Sequence, residues 1–338
     1  EGPSSIGFTT PDSTQPVRAY RLPTWHWSTW RLRADGGASR AGLRRENTEA
    51  DQFDLTLGLH PRYRSFWESE ARRAFLRFSP SIRLDRRGTT ESTGGREQEQ
   101  DLSYITTAVD LRGTLREYVA GRTFLFGATD GLIDYYRQRD ENDGQEQTQS
   151  EFQVRTSARV GVGVGRVRVV TPVIRALRMR ERLRTVAPGT SVADEQVQAA
   201  AQQLARRSGY QAVYDRPDKF FWRDFFDRAG LSGRSPFETF YVADILSEPV
   251  GVRREGAEVV GGPFGSYSRD LEREQENGRL VDRTFSEVGE IGAFVRGRWY
   301  RNVSLRHQLG ADVEATYRHL LDGGDPGTDH DVELDAEG

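Results

Sequence analysis

The chain contains no cysteine and a single lysine, Lys219, against 47 arginines. Without thiols there is no disulfide scaffold and no thiolate metal site, which is compatible with an oxidising compartment and a fold that needs no bridges. Long hydrophobic runs are missing too. No stretch approaches the ~18 apolar residues of a transmembrane helix, and mean hydropathy is −0.70. A helical membrane protein is thereby excluded, but a β-barrel is not, because its lipid-facing residues alternate with polar ones and never raise a windowed hydropathy. Charge of one sign is also lacking: 48 basic and 51 acidic residues leave a net charge of −3. No segment is basic without interleaved acids, which argues against a nucleic-acid partner. The stretch 1–16 is rich in Ser, Thr and Pro with no apolar core and does not read as a signal peptide; either the protein is cytoplasmic or this is a mature, processed form, which the flexible look of the start favours. The arginine bias is read as genomic composition, although the rigid guanidinium fork also suits ion-pair ladders inside a polar cavity.

What the chain does have is alternation. Phe152, Val154, Thr156, Ala158, Val160, Val162 and Val164 interleave with Gln153, Arg155, Ser157, Arg159, Gly161 and Gly163. A period of two over this length predicts one long strand with an apolar and a polar face. The usual strand has ~5–6 residues, whereas a tilted strand of ~9–11 crosses a bilayer. The pattern recurs. Phe53, Leu55, Leu57 and Leu59 form one apolar row, and Ala74, Leu76, Phe78, Pro80, Ile82 and Leu84 another, with a bulge or bend expected at Pro80. Residues 105–119 and 123–136 continue the series, as do Ile291, Ala293, Val295 and Trp299. A run from Asn302 to Tyr317 is expected to be one strand longer than that at Phe152. Two polar stretches, 86–101 and 137–150, read as long loops. Trp25, Trp27 and Trp30 cluster either in a core or in an interfacial aromatic girdle.

After Val170 the period changes to that of helices. Thr171-Pro172 is a start signal, a capping hydroxyl followed by proline, for a helix running to about Val186. Ser191 begins a second, with Asp194 in its first turn, that runs to Arg207. Segments 218–229 and 235–246 follow. The chain thus divides into an extended leader (1–23), a first β part (24–170), a helical insertion (171–247) and a second β part (248–338). Polar faces crowded with Arg, Asp, Glu and Gln, strands longer than soluble ones, and short turns alternating with long charged loops favour a membrane barrel over a soluble sheet.

The junction Gly161-Val-Gly163-Val-Gly165-Arg166-Val-Arg168-Val-Val-Thr171-Pro172-Val-Ile-Arg175-Ala176-Leu177 resembles a motif of a poorly characterised family of outer-membrane β-barrel proteins with a helical insert on the periplasmic side. The opening Ala19-Tyr20-Arg21-Leu22-Pro23, followed by tryptophans, and the stretch Val192–Phe226 are similar to the same family, so the likeness covers roughly 17–250. It implies location and architecture more than activity. One departure stands out: barrel chains usually end in a strand with a terminal aromatic, and this one ends Ala336-Glu337-Gly338. Either the sequence is truncated within the barrel or the closing strand lies elsewhere.

Sites of chemistry are few. Gly161, Gly163 and Gly165 fail the dinucleotide fingerprint, since a motif starting at Gly163 meets Arg168 where Gly or Ala is needed. Small residues on the inward face are expected to let a helix, loop or side chain approach closely. His26, His60, His307, His319 and His330 have no metal-ligand spacing. Ser304 and His307 are expected on opposite faces of one strand, so no hydrolase triad follows and no enzyme is expected. The acidic segments 139–143 and 322–331 lack calcium-loop spacing and read as solvated turns. The sharper candidates are the polar rows Arg73, Arg77, Arg83, Asp110, Arg112, Arg116, Arg155, Arg159, Arg296, Arg298, Asp312 and Glu314, together with Asp85. They would line a wet lumen and set a solute preference, or fill it as a neutralised ladder of ion pairs, the outcome favoured of the two. Phe220, Phe221, Trp222, Phe225 and Phe226 form either the insert's core or a surface for a periplasmic or membrane partner.

The expected fold is mainly β: an antiparallel transmembrane barrel of at least ten strands with an inserted helical segment, in the outer membrane and in contact with its lipid. The expected role is porin-like passage of small solutes or a scaffold for a periplasmic partner, without cofactor. The alternative is a soluble periplasmic binding protein whose cavity takes an anionic ligand. A membrane barrel carries its apolar rows outside, and a soluble one carries them inside.

Overall fold

A computed structural model describes residues 15–45, 48–93, 96–142, 145–187, 189, 191–248, 250–321 and 332–337. The strands are β1 (Trp25–Arg45), β2 (Thr48–Glu68), β3 (Arg72–Thr93), β4 (Arg96–Ala120), β5 (Thr123–Asn142), β6 (Gln145–Val169), β7 (Arg254–Glu276), β8 (Arg279–Asn302), β9 (Gln308–Leu321) and the short β10 (Val332–Glu337). They form one antiparallel sheet in chain order. Helix α1 (Gln15–Ala19) precedes β1. Between β6 and β7 lie α2 (Thr171–Val186), α3 (Asp194–Ala205), α4 (Arg207–Val213), α5 (Pro217–Arg228) and α6 (Pro236–Ala243), closed by a 3₁₀ turn, Asp244–Leu246.

The strands are longer than the alternation alone requires, up to 25 residues in β4 and β6. The expected loops at 86–101 and 137–150 are instead the far halves of two hairpins, β3–β4 and β5–β6, paired to within two residues of their tips. Cross-strand side chains hold these polar ribbons: Arg86 on Asp101, Arg87 on Asp54 at 2.6 Å, Arg139 on Glu146 at 3.1 Å, and Gln149 donating to Glu272 at 2.8 Å. Without hydrophobic contrast a period count cannot distinguish such a ribbon from a loop. The first acidic segment therefore belongs to a ribbon through Asn142, and Asp143 and 322–331 lie outside the described residues.

Other expectations need correction. The leader is not extended throughout, because 15–19 is helical and Val17 and Tyr20 are buried in the helical block. Pro80 produces no bulge. It faces Pro61 across the β2–β3 ladder, which opens between Leu59–Ile82 and Tyr63–Phe78 and resumes with the same offset. Neither proline has an N–H to give. The run Asn302–Tyr317 is two strands' ends around a turn at 303–307. Ser304 and His307 therefore do not face apart: Ser304 Oγ and His307 Nδ1 are 3.0 Å from each other. The same hydroxyl accepts the backbone N–H groups of Arg306 and His307, the work of a turn residue. Thr171 does not cap α2, and its Oγ1 accepts from Arg253 N–H at 2.7 Å, pinning the returning chain. Helix α3 starts after Ala193, whose N–H donates to Gln196 Oε1 at 3.0 Å. Ser235 and Glu238 do form a capping box on α6.

Side-chain alternation sorts along each strand. Val160, Val162 and Val164 are exposed on one face of β6, and Leu125 and Ile133 of β5 pair beside Val162 and Val154. Leu115, Val259, Val295, Leu309 and Val313 continue the exposed apolar face. The opposite face carries the arginines and carboxylates together with Phe124, Val260, Phe264 and Phe294, a small buried cluster. The tryptophans divide: Trp30 points out, its ring tilted against that of Tyr63 at 4.8 Å, whereas Trp25 and Trp27 lie against α4 at Gly209.

The sheet is curled. If it were flat, β1 and β9 would stand about 38 Å apart at ~4.8 Å per strand. Yet one helical core holds Tyr20 and Leu305, the flanks of β1 and β9. Arg31 of β1 donates to Gln211 of α4, and Arg178 of α2 donates to the Leu305 carbonyl. Among the described residues no pairing joins β1 to β9 or β10. At the helical end, Gly165 (φ +102°) and Gly256 (φ +114°) bend β6 and β7. A Cβ on either would lie within 2.2 Å of a backbone carbonyl oxygen on the other strand, so only glycine fits there.

Candidate functional site: an arginine-lined chamber

The concave face holds a chamber of about 810 Å³ that is partly open to solvent. Alternation delivers its walls: Arg73 from β3, Arg112 and Arg116 from β4, Arg159 from β6, Arg296 and Arg298 from β8, and Glu314 from β9. Phe66, Phe75, Phe126 and Phe294 supply apolar wall, and Val252 and Arg254 close it on the helical side. Seven of the twelve candidate lumen residues thus meet at one space. Asp312 reaches it through Arg296, at 2.6 Å. Arg77 and Asp110 pair with each other at 3.3 Å, and Arg83 pairs with Asp85 at 2.8 Å, outside it. Arg155 lines a neighbouring hollow of about 260 Å³ with Asp130, Ser157 and Glu290.

The charges are largely paired across the concavity. Arg159 reaches Glu314 at 2.6 Å, a bond from β6 to β9. Glu258, its side chain wholly buried, takes Arg116 at 2.7 Å and also Arg298, and accepts the Val167 N–H at 3.0 Å. One carboxylate therefore ties β4, β6, β7 and β8 together. Aromatic faces share the load: the Arg116 guanidinium lies 4.6 Å from the Phe124 ring, and that of Arg159 lies 5.6 Å from Phe294. At the turn between β2 and β3, Glu70 binds Arg166 and Arg168 and accepts the Leu22 N–H at 2.8 Å. Burial opposes the charge of Glu70, but the guanidinium and amide donors outweigh it and hold the carboxyl below its ordinary range. Among the described residues no carboxylate pairs with Arg254, which donates to Tyr300 Oη at 2.8 Å.

Glu258, Phe124, Phe126, Phe294 and Arg254 escaped the sequence reading. Their signal is present in part, since Glu258, Val260 and Phe264 share one side of β7, but the glycines and charges around them blur the contrast between its two faces. The partner surface also needs correction. Phe221 and Phe225 are fully buried in the helical core, where nothing can dock on them, and Trp222 and Phe226 pack against that core. Phe220 stacks on Tyr214 at 4.7 Å. The most exposed aromatics of the block, among the described residues, are Phe237 (65%) and Phe240 (77%) on α6, and Phe220 and Tyr214 are exposed to a lesser degree.

Among the described residues no helix is long and apolar enough to cross a membrane, and no group of three or more His, Asp or Glu is placed to hold a metal. Compared with known proteins, the chain matches no family model and no curated sequence.

Proposed function

We propose that this protein is an outer-membrane β-barrel whose narrow, arginine-lined lumen admits small solutes, with the helical block across its periplasmic mouth. One observation carries the reading: the long apolar side chains lie on the convex, exposed face, and the ionic ones lie on the concave face. A soluble sheet has the opposite arrangement, because water must meet its outer surface, so the reading of a soluble anion-binding protein loses ground. The outward apolar row of β6 runs from Phe152 to Val164, long enough to supply the ~9–11 residues that span a bilayer. The likeness of the 161–177 junction to outer-membrane barrels agrees. A bilayer offers no water to an open strand edge, so the reading requires β1 to close on the far edge of the sheet. No catalysis is assigned. A scaffold role has one observation in its favour, the exposed Phe237 and Phe240.

The test is membrane fractionation followed by gel mobility with and without boiling. The expected outcome is recovery with the outer membrane and a heat-modifiable band, the mark of a closed barrel that resists detergent. Recovery from the soluble periplasm with unchanged mobility overturns the proposal.

A further inference from the structure

The walls of the chamber are unequally charged. Seven arginines line it, against two carboxylates among the described residues, Asp130 and Glu314. Other acids that pair with those arginines sit further back. The Glu258 side chain, shared by Arg116 and Arg298, has no exposed surface, and that of Asp312, on Arg296, keeps 13%. Guanidiniums stand in front of them: the Arg112 and Arg73 side chains are 58% and 51% exposed. Even Arg116 and Arg298, mostly buried, are more exposed than the Glu258 they share. Asp130, on Arg112 at 3.0 Å, is the exception, a carboxylate as far forward as its partner.

The totals do not balance either. Glu258 serves two guanidiniums, and so does Glu314, on Arg159 at 2.6 Å and Arg296 at 3.7 Å. Asp110, the second acid beside Arg112, is shared with Arg77. Arg254 faces the chamber with a tyrosine hydroxyl as its partner. With Arg77 counted, eight arginines share six carboxylates, Glu68, Asp110, Asp130, Glu258, Asp312 and Glu314.

An ion pair with its negative end recessed turns its positive end to the water. Low-dielectric walls focus the field of such an array. A guanidinium also has five N–H donors, more than a single carboxylate takes up, so donors remain for a passing ion. Arginine rings confer anion preference on pores for this reason. A volume of about 810 Å³ leaves room for a hydrated small ion, since each water takes only ~30 Å³.

We propose that the chamber, on the barrel reading given above, passes small anions in preference to cations. Arg254 adds to that preference and Asp130 works against it.

The test is single-channel recording from the full chain, folded in non-ionic detergent and inserted into planar bilayers of neutral lipid, under a KCl gradient. The expected reversal potential lies toward the chloride equilibrium potential, with chloride several-fold more permeant than potassium. The preference should shrink with salt, because the Debye length falls from about 10 Å at 0.1 M to about 3 Å at 1 M. Arg254→Gln should lower the permeability ratio and Asp130→Asn should raise it. A general disturbance of the fold would not shift the two variants in opposite directions. Wild type alone decides the sign of the preference, whether or not either variant folds. Channels that favour potassium, or do not discriminate, overturn the anion preference and leave solute passage standing. A heat-modifiable outer-membrane protein that conducts nothing overturns passage, and the preference with it. Variants with the wild-type ratio overturn the roles given to Arg254 and Asp130.

Discussion

A methyl group at Gly163 would sit 2.2 Å from Cζ of Phe124, its cross-strand neighbour. The same arrangement recurs with Phe264 over Gly292 and Tyr300 over Gly310. In each pair the ring covers the bare glycine backbone and gains a flat bed in return. Gly163→Ala should therefore destabilise the sheet by about 1–3 kcal/mol, the usual cost of overpacking. Adding Phe124→Leu should recover part of that loss, so the double variant unfolds in urea later than the two single effects predict together. Strict additivity would show that the ring does not occupy this space. The small, inward character of Gly161 and Gly163 was legible from alternation. Their aromatic partner was not, because a period in one strand carries no register with the next. Glu258 was hidden for the same reason: its meaning lies in Arg116, 142 residues away.

At the scale of elements, α4 and α5 are joined by a polar relay. Gln203 donates to Tyr210 Oη at 2.9 Å, and that hydroxyl donates to Asp224 at 2.6 Å. The hydrogen bond from Tyr210 holds the Asp224 carboxyl below its ordinary value, against the pull of burial and with help from Arg223. A pKa lower in the folded than in the unfolded state gives stability that is present at neutral pH and lost as pH falls through the folded value. Asp224→Asn should be less stable than wild type at pH 7, and the gap should close as pH falls through and below the carboxylate range near ~4. A gap that stays constant with pH, followed by circular dichroism, would remove the charge from this account. The helices themselves were legible from their apolar spacing and from Pro172 in the first turn of α2, although Thr171 does not supply the cap expected of it. The short α4 was missed, because Arg207–Val213 is only seven residues long and has no fully buried face. The hairpin ribbons were missed because their partners are equally polar, and only pairing between strands defines them.

At the scale of the molecule, the ion pairs cross a concavity that the apolar exterior surrounds. If solutes pass through it, the Arg159–Glu314 pair is the crosspiece to remove. Replacing both with serine should raise single-channel conductance in planar bilayers several-fold over wild type. Equal conductance would place the constriction elsewhere, with the Phe124, Val260, Phe264 and Phe294 cluster next in line. The helical block also bears on how such a sheet is completed. Its contacts span 180 residues back, from Gln211 to Arg31, and 127 forward, from Arg178 to Leu305. Bringing the first and ninth strands together directly would close one loop of almost the whole chain. With the block as a midpoint, that search divides into two shorter closures, each ending on a preformed core. The saving in loop entropy is small, about 0.6 kcal/mol per halving of length. Its effect falls on order instead, since β1 and the turn before β9 each need to find only the helices, and not one another.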